Sequence, residues 1–273
     1  MISNMSKCIS IIGCGWMGLP CAEHLVKAGY QVKGSTTTSV KLPSLKDAGI
    51  NAFLLDLDRN EVPAELLDCD ILFINFPPGR GVPDLVNRYM QRITKVIETA
   101  KIAGVQKIIF ASSTGVYQGD SVNDAIDETA SIVPKRESAQ ALYTAELALS
   151  LYTDQLTILR FAGLVGGTRH PAKFLAGKKD IPNPDNAVNL IHLEDCVAII
   201  HQLIAQDIFG ATLNAVADQH PTRKEYYTAQ STKADLTPPT FASVNTAPNK
   251  IALNTKLKET LGYEFLHPDP AKF

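Results

Sequence analysis

Cys8-Ile9-Ser10-Ile11-Ile12-Gly13-Cys14-Gly15-Trp16-Met17-Gly18 sets the reading of the whole chain. An apolar run, Cys8 to Ile12, enters a G-x-G-x-x-G turn. From Met17 to Ala28 apolar residues then recur at helical spacing: Leu19, Ala22, Leu25, Val26 and Ala28. Gly29 supplies a stop signal. The three glycines permit a tight turn and close approach of another group, because no Cβ stands in the way. Unpaired N–H groups and the dipole at the start of the helix favour a phosphate there. Strand, glycine turn and helix in this order form the joint that cradles a dinucleotide pyrophosphate, with Gly13, Gly15, Trp16, Met17 and Gly18 around it.

Outward from this joint the chain alternates. Strands are expected at Gln31–Gly34, Asn51–Leu57, Asp70–Asn75, Lys107–Ser112 and Leu156–Phe161. Helices are expected at Asp84–Ala103, which carries Leu85, Tyr89, Ile93, Val96, Ile97 and Ala100 on one face, and at Arg136–Leu151. Continuous apolar strands separated by helices imply parallel β-α-β units with both sheet faces covered. The expected fold is therefore α/β, a Rossmann doubly wound parallel sheet over residues 1–165. After Gly163 the rhythm breaks at Gly166, Gly167, Pro171, Gly177, Pro182 and Pro184. Residues 166–273 read as a smaller C-terminal α+β substrate domain, with contacts interleaved between the two. Within it, Ala187–Leu193 and Thr212–Val216 read as strands, and Glu194–Ala205, Arg223–Gln230 and Asn254–Leu261 as helices.

The 273 residues are 45% hydrophobic and 20% charged, with a net charge of −2. That is globular composition, and it disfavours nucleic acid as a partner, since such proteins carry a basic surplus. No apolar run reaches the roughly 18 residues that span a bilayer, so no membrane partner is expected. The start, Met1 to Lys7, is too short in apolar residues for a secretory signal, and Met5 offers an alternative start. Five cysteines without C-x-x-C spacing argue for buried thiols in a reducing cytoplasm rather than disulfides or zinc. His201, His220 and His267 show no metal spacing, and no metal site is expected.

An NAD site commonly places an acid about 20 residues beyond the glycines, to hold the ribose 2′-OH. Gln31 to Lys46 contains none. The second strand ends instead in Ser35-Thr36-Thr37-Thr38-Ser39, with Lys41 beyond. Hydroxyls and a lysine suit a 2′-phosphate, so NADP is favoured, with NAD the alternative.

The turn with Lys27-Ala28-Gly29-Tyr30 resembles the β-hydroxyacid dehydrogenases, but the remainder does not. Residues 107–119, Lys-Ile-Ile-Phe-Ala-Ser-Ser-Thr-Gly-Val-Tyr-Gln-Gly, resemble the strand-and-turn signature of extended short-chain dehydrogenases. So do Leu159-Arg160-Phe161-Ala162-Gly163-Leu164-Val165-Gly166 and Val188 to Val197, with its Ile191-His192-Leu193-Glu194-Asp195 joint. The resemblance spans about residues 7–216. Within it the chain is similar to the atypical YeeZ-like group, on Gly163 to Gly166, Arg169-His170-Pro171, Phe174 to Lys178 and His267-Pro268-Asp269-Pro270. That group is placed with nucleoside-diphosphate-sugar epimerases and dehydratases. The resemblance implies Asp56 and Leu57 beside the adenine, and Phe76, Pro77 and Ser112 along the cofactor crevice. In the loop 75–80, prolines fix the chain, and Arg80 reads either as a solvated loop charge, as most arginines are, or as a contact for an anionic group. A small-molecule substrate, of nucleotide-sugar type, follows from the likeness, as does a homodimer through 84–103 and 136–151.

Active members of the family carry Tyr-x-x-x-Lys, in which lysine lowers the tyrosine pKa for proton exchange. Anchoring the family glutamate on Glu146 puts Ser138 at the tyrosine position and Leu142 at the lysine position. Tyr143 lies five residues from Ser138, about 500° around the helix, and faces elsewhere. Two readings stand. In one, Ser113, Thr114 and Ser138 surround the nicotinamide, and His170 moves the proton, since histidine titrates near neutrality. In the other, the chain binds NADP without turnover, as a redox sensor or regulatory module like the NmrA group. His192 reads as a structural histidine at its joint, Asp195 as a helix-start acid, and Tyr226-Tyr227 as packing.

Overall fold

The structure, a computed structural model, describes residues 7–79, 81–117, 124–244 and 246–273; Arg80 and Met5 lie outside the described residues. The first half runs β1 (Cys8–Ile12), α1 (Gly18–Lys27), β2 (Gln31–Thr36), α2 (Leu42–Asp47), β3 (Asn51–Leu54), α3 (Ala64–Leu67), β4 (Ile71–Ile74), α4 (Leu85–Ala103) and β5 (Lys107–Ser113). Then come β6 (Asp124–Ile126), α5 (Glu137–Tyr152), β7 (Leu156–Phe161), β8 (Gly163–Val165), α6 (Ala172–Leu175), β9 (Leu190–His192), α7 (Leu193–Gln206) and β10 (Thr212–Ala215). The chain closes with α8 (Arg223–Lys233), β11 (Lys250–Ala252) and α9 (Thr255–Leu261).

Seven strands form one parallel sheet in the order β10-β7-β5-β4-β1-β2-β3, flanked by helices. Strand order reverses between β1 and β4, where Ile12 registers against Ile74. The segments leaving these two strands therefore open side by side at the carboxyl end of the sheet. In open α/β sheets that switch point is where ligands sit.

The apolar pattern explains the elements. α4 buries Leu85, Tyr89, Ile93, Val96 and Ala100, a stripe three and four residues apart. Tyr89, Ile93, Val96 and Ala100 pack into one core with Leu72 and Ile74 of β4, Ile108 and Phe110 of β5, and Ala141, Ala145 and Leu149 of α5. Full burial of each large side chain is worth about 2 kcal/mol. β4 is buried at every position, as a central parallel strand demands. Gly29 at φ 91° ends α1, and Gly104 at φ 74° ends α4, a backbone region that disfavours a Cβ.

Two expected strands are shorter than the apolar pattern suggested. Asn51–Leu57 stops at Leu54, because Asp56 turns the chain with a carboxylate that accepts the Asp58 N–H at 3.1 Å. Of Ala187–Leu193 only Leu190–His192 is strand. The helix α2 carried no periodic signal, since it is one turn and a half with Leu45 alone buried.

Two units divide the chain, and neither is a single run. One comprises residues 1–116, 134–159 and 200–212, the other 117–133, 160–199 and 213–273. The second unit contains two parallel strand pairs, β8 with β9 and β6 with β11, together with α6, α8 and α9. Its core gathers Val165, Val188, Leu190 and Tyr226.

Candidate functional site

The glycine turn is locked from below by β2 and from the side by Asn75. The Cys14 N–H donates to the Ser35 carbonyl at 2.7 Å, and the Gly13 N–H donates to Ser35 Oγ at 3.2 Å. Asn75, directly after β4, donates its backbone N–H to the Ile12 carbonyl at 2.9 Å and its side-chain amide to the Gly13 carbonyl at 3.0 Å. The first and third glycines are required by this packing. A Cβ on Gly13 would stand 2.6 Å from the Asn75 carbonyl oxygen, and one on Gly18 would stand 2.2 Å from the Gly13 carbonyl oxygen. Gly15 differs. No atom beyond its chain neighbours lies within 4 Å of a Cβ built there. The middle glycine thus faces an open cradle, beside the start of α1, which has neither a side-chain cap nor an acid in its first turn. An anionic pyrophosphate fits that setting.

The other cofactor candidates divide by exposure. Trp16 is half-buried and Met17 is buried. Ser35 and Thr36 are buried, at 3% and 7% exposure, and both oxygens serve the backbone: Thr36 Oγ1 accepts the Thr38 N–H at 3.2 Å. Thr37, Thr38, Ser39 and Lys41 are exposed beyond them. Lys33 is turned away, donating to the carbonyls of Glu65 and Asp68. Asp56 is half-buried in its turn, while Leu57 belongs to the apolar core. Phe76 stacks edge-on against Tyr89 at 5.4 Å, and the Tyr89 hydroxyl donates to the Phe76 carbonyl at 3.1 Å. Pro77 is exposed next to it.

At the end of β5, Ser112 is buried and donates its hydroxyl to the carboxylate of Glu146 on α5. Ser113 Oγ accepts the Gly115 N–H at 3.0 Å, which starts the short turn Thr114–Tyr117. Ser138 is half-buried on the first turn of α5. One α-helical turn on, Leu142 packs against the apolar core. Ser113, Thr114 and Ser138 belong to the first unit; His170 belongs to the second, half-buried, with an Nδ1 atom that meets no partner among the described residues.

Tyr117 is spoken for. Its hydroxyl accepts from Arg160 Nη1 at 2.6 Å and donates to Asn214 Oδ1 at 3.0 Å, while the guanidinium lies 4.9 Å from its ring centre. Burial raises its pKa, more than Arg160 lowers it. Sequence reading missed this network and the Asn75 lock. Only an asparagine ending an apolar strand hinted at the latter.

A sequence profile described as NAD(P)H-binding matches residues 13–206. The chain belongs to that NAD(P)H-binding family. Protein YeeZ of Escherichia coli K12 is 35% identical over 272 residues, covering 97% of each chain, so this family member is YeeZ-like along its whole length. Among solved structures, the UDP-glucuronic acid 4-epimerase of Bacillus cereus, in complex with UDP-glucuronic acid and NAD, superposes with a TM-score of 0.79. It shares 16% identity and covers 97% of this chain and 96% of its own. The UDP-glucose 4-epimerase of Thermotoga maritima, with UDP-glucose, gives a TM-score of 0.77 at 18% identity, covering 95% and 94%. These likenesses show that this NAD(P)H-binding family member shares the fold of those two proteins over nearly its whole length.

Proposed function

We propose that the chain binds NADP(H) in preference to NAD(H) and uses it on a small molecule of the nucleotide-sugar class. The observation that carries the reading is the open cradle over Gly15 at the sheet's switch point, framed by glycines that Asn75 locks. The nicotinamide, when bound, supplies hydride exchange. Gly15 and the start of α1 hold the pyrophosphate, Phe76 and Pro77 border it, and exposed Thr37, Thr38, Ser39 and Lys41 take the 2′-phosphate. Residues 166–273 carry the substrate specificity. All five cysteines are free thiols, which suits the cytoplasm, and no helix among the described residues is long and apolar enough to cross a membrane.

Thr37→Asp is the test of cofactor choice, because Thr37 is exposed and tolerates a polar change, whereas an aspartate at the buried Thr36 would disturb the fold. Its carboxylate repels a phosphate and suits a ribose diol. The expected result, read by calorimetry or Trp16 fluorescence, is an NADPH affinity at least about tenfold weaker, with NADH unchanged or tighter. Equal NADH and NADPH affinity in the wild type refutes the preference.

Leu142 packed into the core brings no cation to the position where the family carries lysine. Proton transfer therefore falls to Thr114, Ser113, Ser138 or His170, and His170, whose Nδ1 meets no partner among the described residues, is the first candidate to move the proton. With NADPH and a nucleotide-sugar panel, His170→Ala and Thr114→Val are expected to lower kcat about a hundredfold at unchanged NADPH affinity, and Tyr143→Phe to keep it. Loss with Tyr143→Phe alone restores an ordinary tyrosine acid. The same leucine favours a second reading, an NADP-binding sensor without turnover. Tight NADPH binding with no turnover by wild type on any panel member supports that one.

A further inference from the structure

We propose a binding site for a divalent transition-metal ion, zinc in type, formed by His192, Glu194 and His267 in the second unit. Each offers one ligand atom, and the three lie within 4.8 Å of one another. Glu194 Oε2 already stands 2.7 Å from His267 Nε2, and the rings of His192 and His267 are 3.9 Å apart, centre to centre, inclined at 43°. Imidazole nitrogen with one carboxylate oxygen is a donor set that zinc accepts, at bond lengths of about 2.0–2.2 Å. Small side-chain rotations bring ligand atoms at this spacing onto one ion, and the rest of the coordination shell falls to water. Access is open, since Glu194 is exposed and both histidines are half-buried.

The neighbouring structure holds the ligands in place. Asp195, fully buried, accepts the N–H of Leu266 at 2.7 Å and that of His267 at 3.1 Å, so the segment bearing His267 is pinned beside the start of α7. The ring of His192 lies flush on Gly166, where a Cβ would come within 2.7 Å of Nε2. Its Nδ1 receives only a long contact, 3.3 Å, from the Glu194 N–H. Phe273 walls the pair, its ring 5.5 Å from His192 and 6.0 Å from His267. Such surrounding support is what lets a few ligands hold an ion. A bound ion ties the C-terminal segment to the joint between β9 and α7. This site stands apart from the cofactor reading and does not depend on it.

The test is calorimetric titration of the intact, tag-free, EDTA-treated protein with ZnCl2, alongside cobalt absorption in the visible. The expected result is one saturable site in the micromolar range, weakened at least about tenfold by His267→Ala, by His192→Asn and by Glu194→Gln. Circular dichroism of each variant checks that it is folded, and NADPH affinity stays unchanged. His24→Ala is the control, because His24 and His201 form a separate imidazole pair, 3.1 Å between ring nitrogens. Its zinc affinity is expected to match wild type. No saturable uptake by 100 µM zinc overturns the proposal, as does uptake that survives His267→Ala and Glu194→Gln or is lost with His24→Ala.

Discussion

Gly15→Val is expected to leave the fold standing and abolish NADPH binding, whereas Gly18→Ala is expected to damage the fold itself. The two glycines sit three residues apart in one motif, yet they are required for different reasons. At Gly15 a new side chain meets no atom of the protein within 4 Å beyond its chain neighbours, so valine costs little in packing. It fills the space in which the pyrophosphate approaches the backbone. Affinity should fall by a hundredfold or more, roughly 2.8 kcal/mol. At Gly18 the added methyl would lie 2.2 Å from the Gly13 carbonyl oxygen and 2.7 Å from the Asn75 side-chain amide. Relief requires the turn and α1 to separate, at about 3 kcal/mol or more. Calorimetry and urea unfolding on both variants distinguish the effects. Wild-type NADPH affinity in Gly15→Val removes the pyrophosphate from this turn.

The second large effect is expected at Asp195. Asp195→Ala should destabilise the protein by about 4 kcal/mol, because three donors lose a fully buried carboxylate acceptor at once. The Tyr263 hydroxyl and the Leu266 N–H, both 2.7 Å from Oδ1, and the His267 N–H, 3.1 Å from Oδ2, are left without this acceptor. Tyr263 has no route out by ionisation in the variant, since burial, the largest cause of its raised pKa, remains when the carboxylate is gone. The chain beyond Tyr263 should become sensitive to limited proteolysis, and the urea midpoint should drop. A loss below about 1 kcal/mol would show that the clamp contributes little. Asp195→Asn keeps acceptor oxygen but loses the charge, and should fall between the two.

The glycine turn, the strand–helix rhythm and the family were legible in the sequence because they depend on neighbours. Gly13 to Gly18 are read within six residues, the stripe of α4 within one helix, and the apolar run of β4 within four. Local periodicity decides such elements, and the parallel sheet follows from their alternation. The burial of Ser35 and Thr36 was not legible, because both look like open hydroxyls until the backbone of the turn is seen to use them. The tertiary structure alone paired Asn75 with Gly13, 62 residues apart, and Ser112 with Glu146, 34 apart. It alone brought His267 against Glu194 across 73 residues, where spacing along the chain suggested no metal ligand set. Side-chain partners at such separations are chosen by how strands order in the sheet and where the last segment is clamped, and hydrogen-bonding groups carry no periodic signature of their partners.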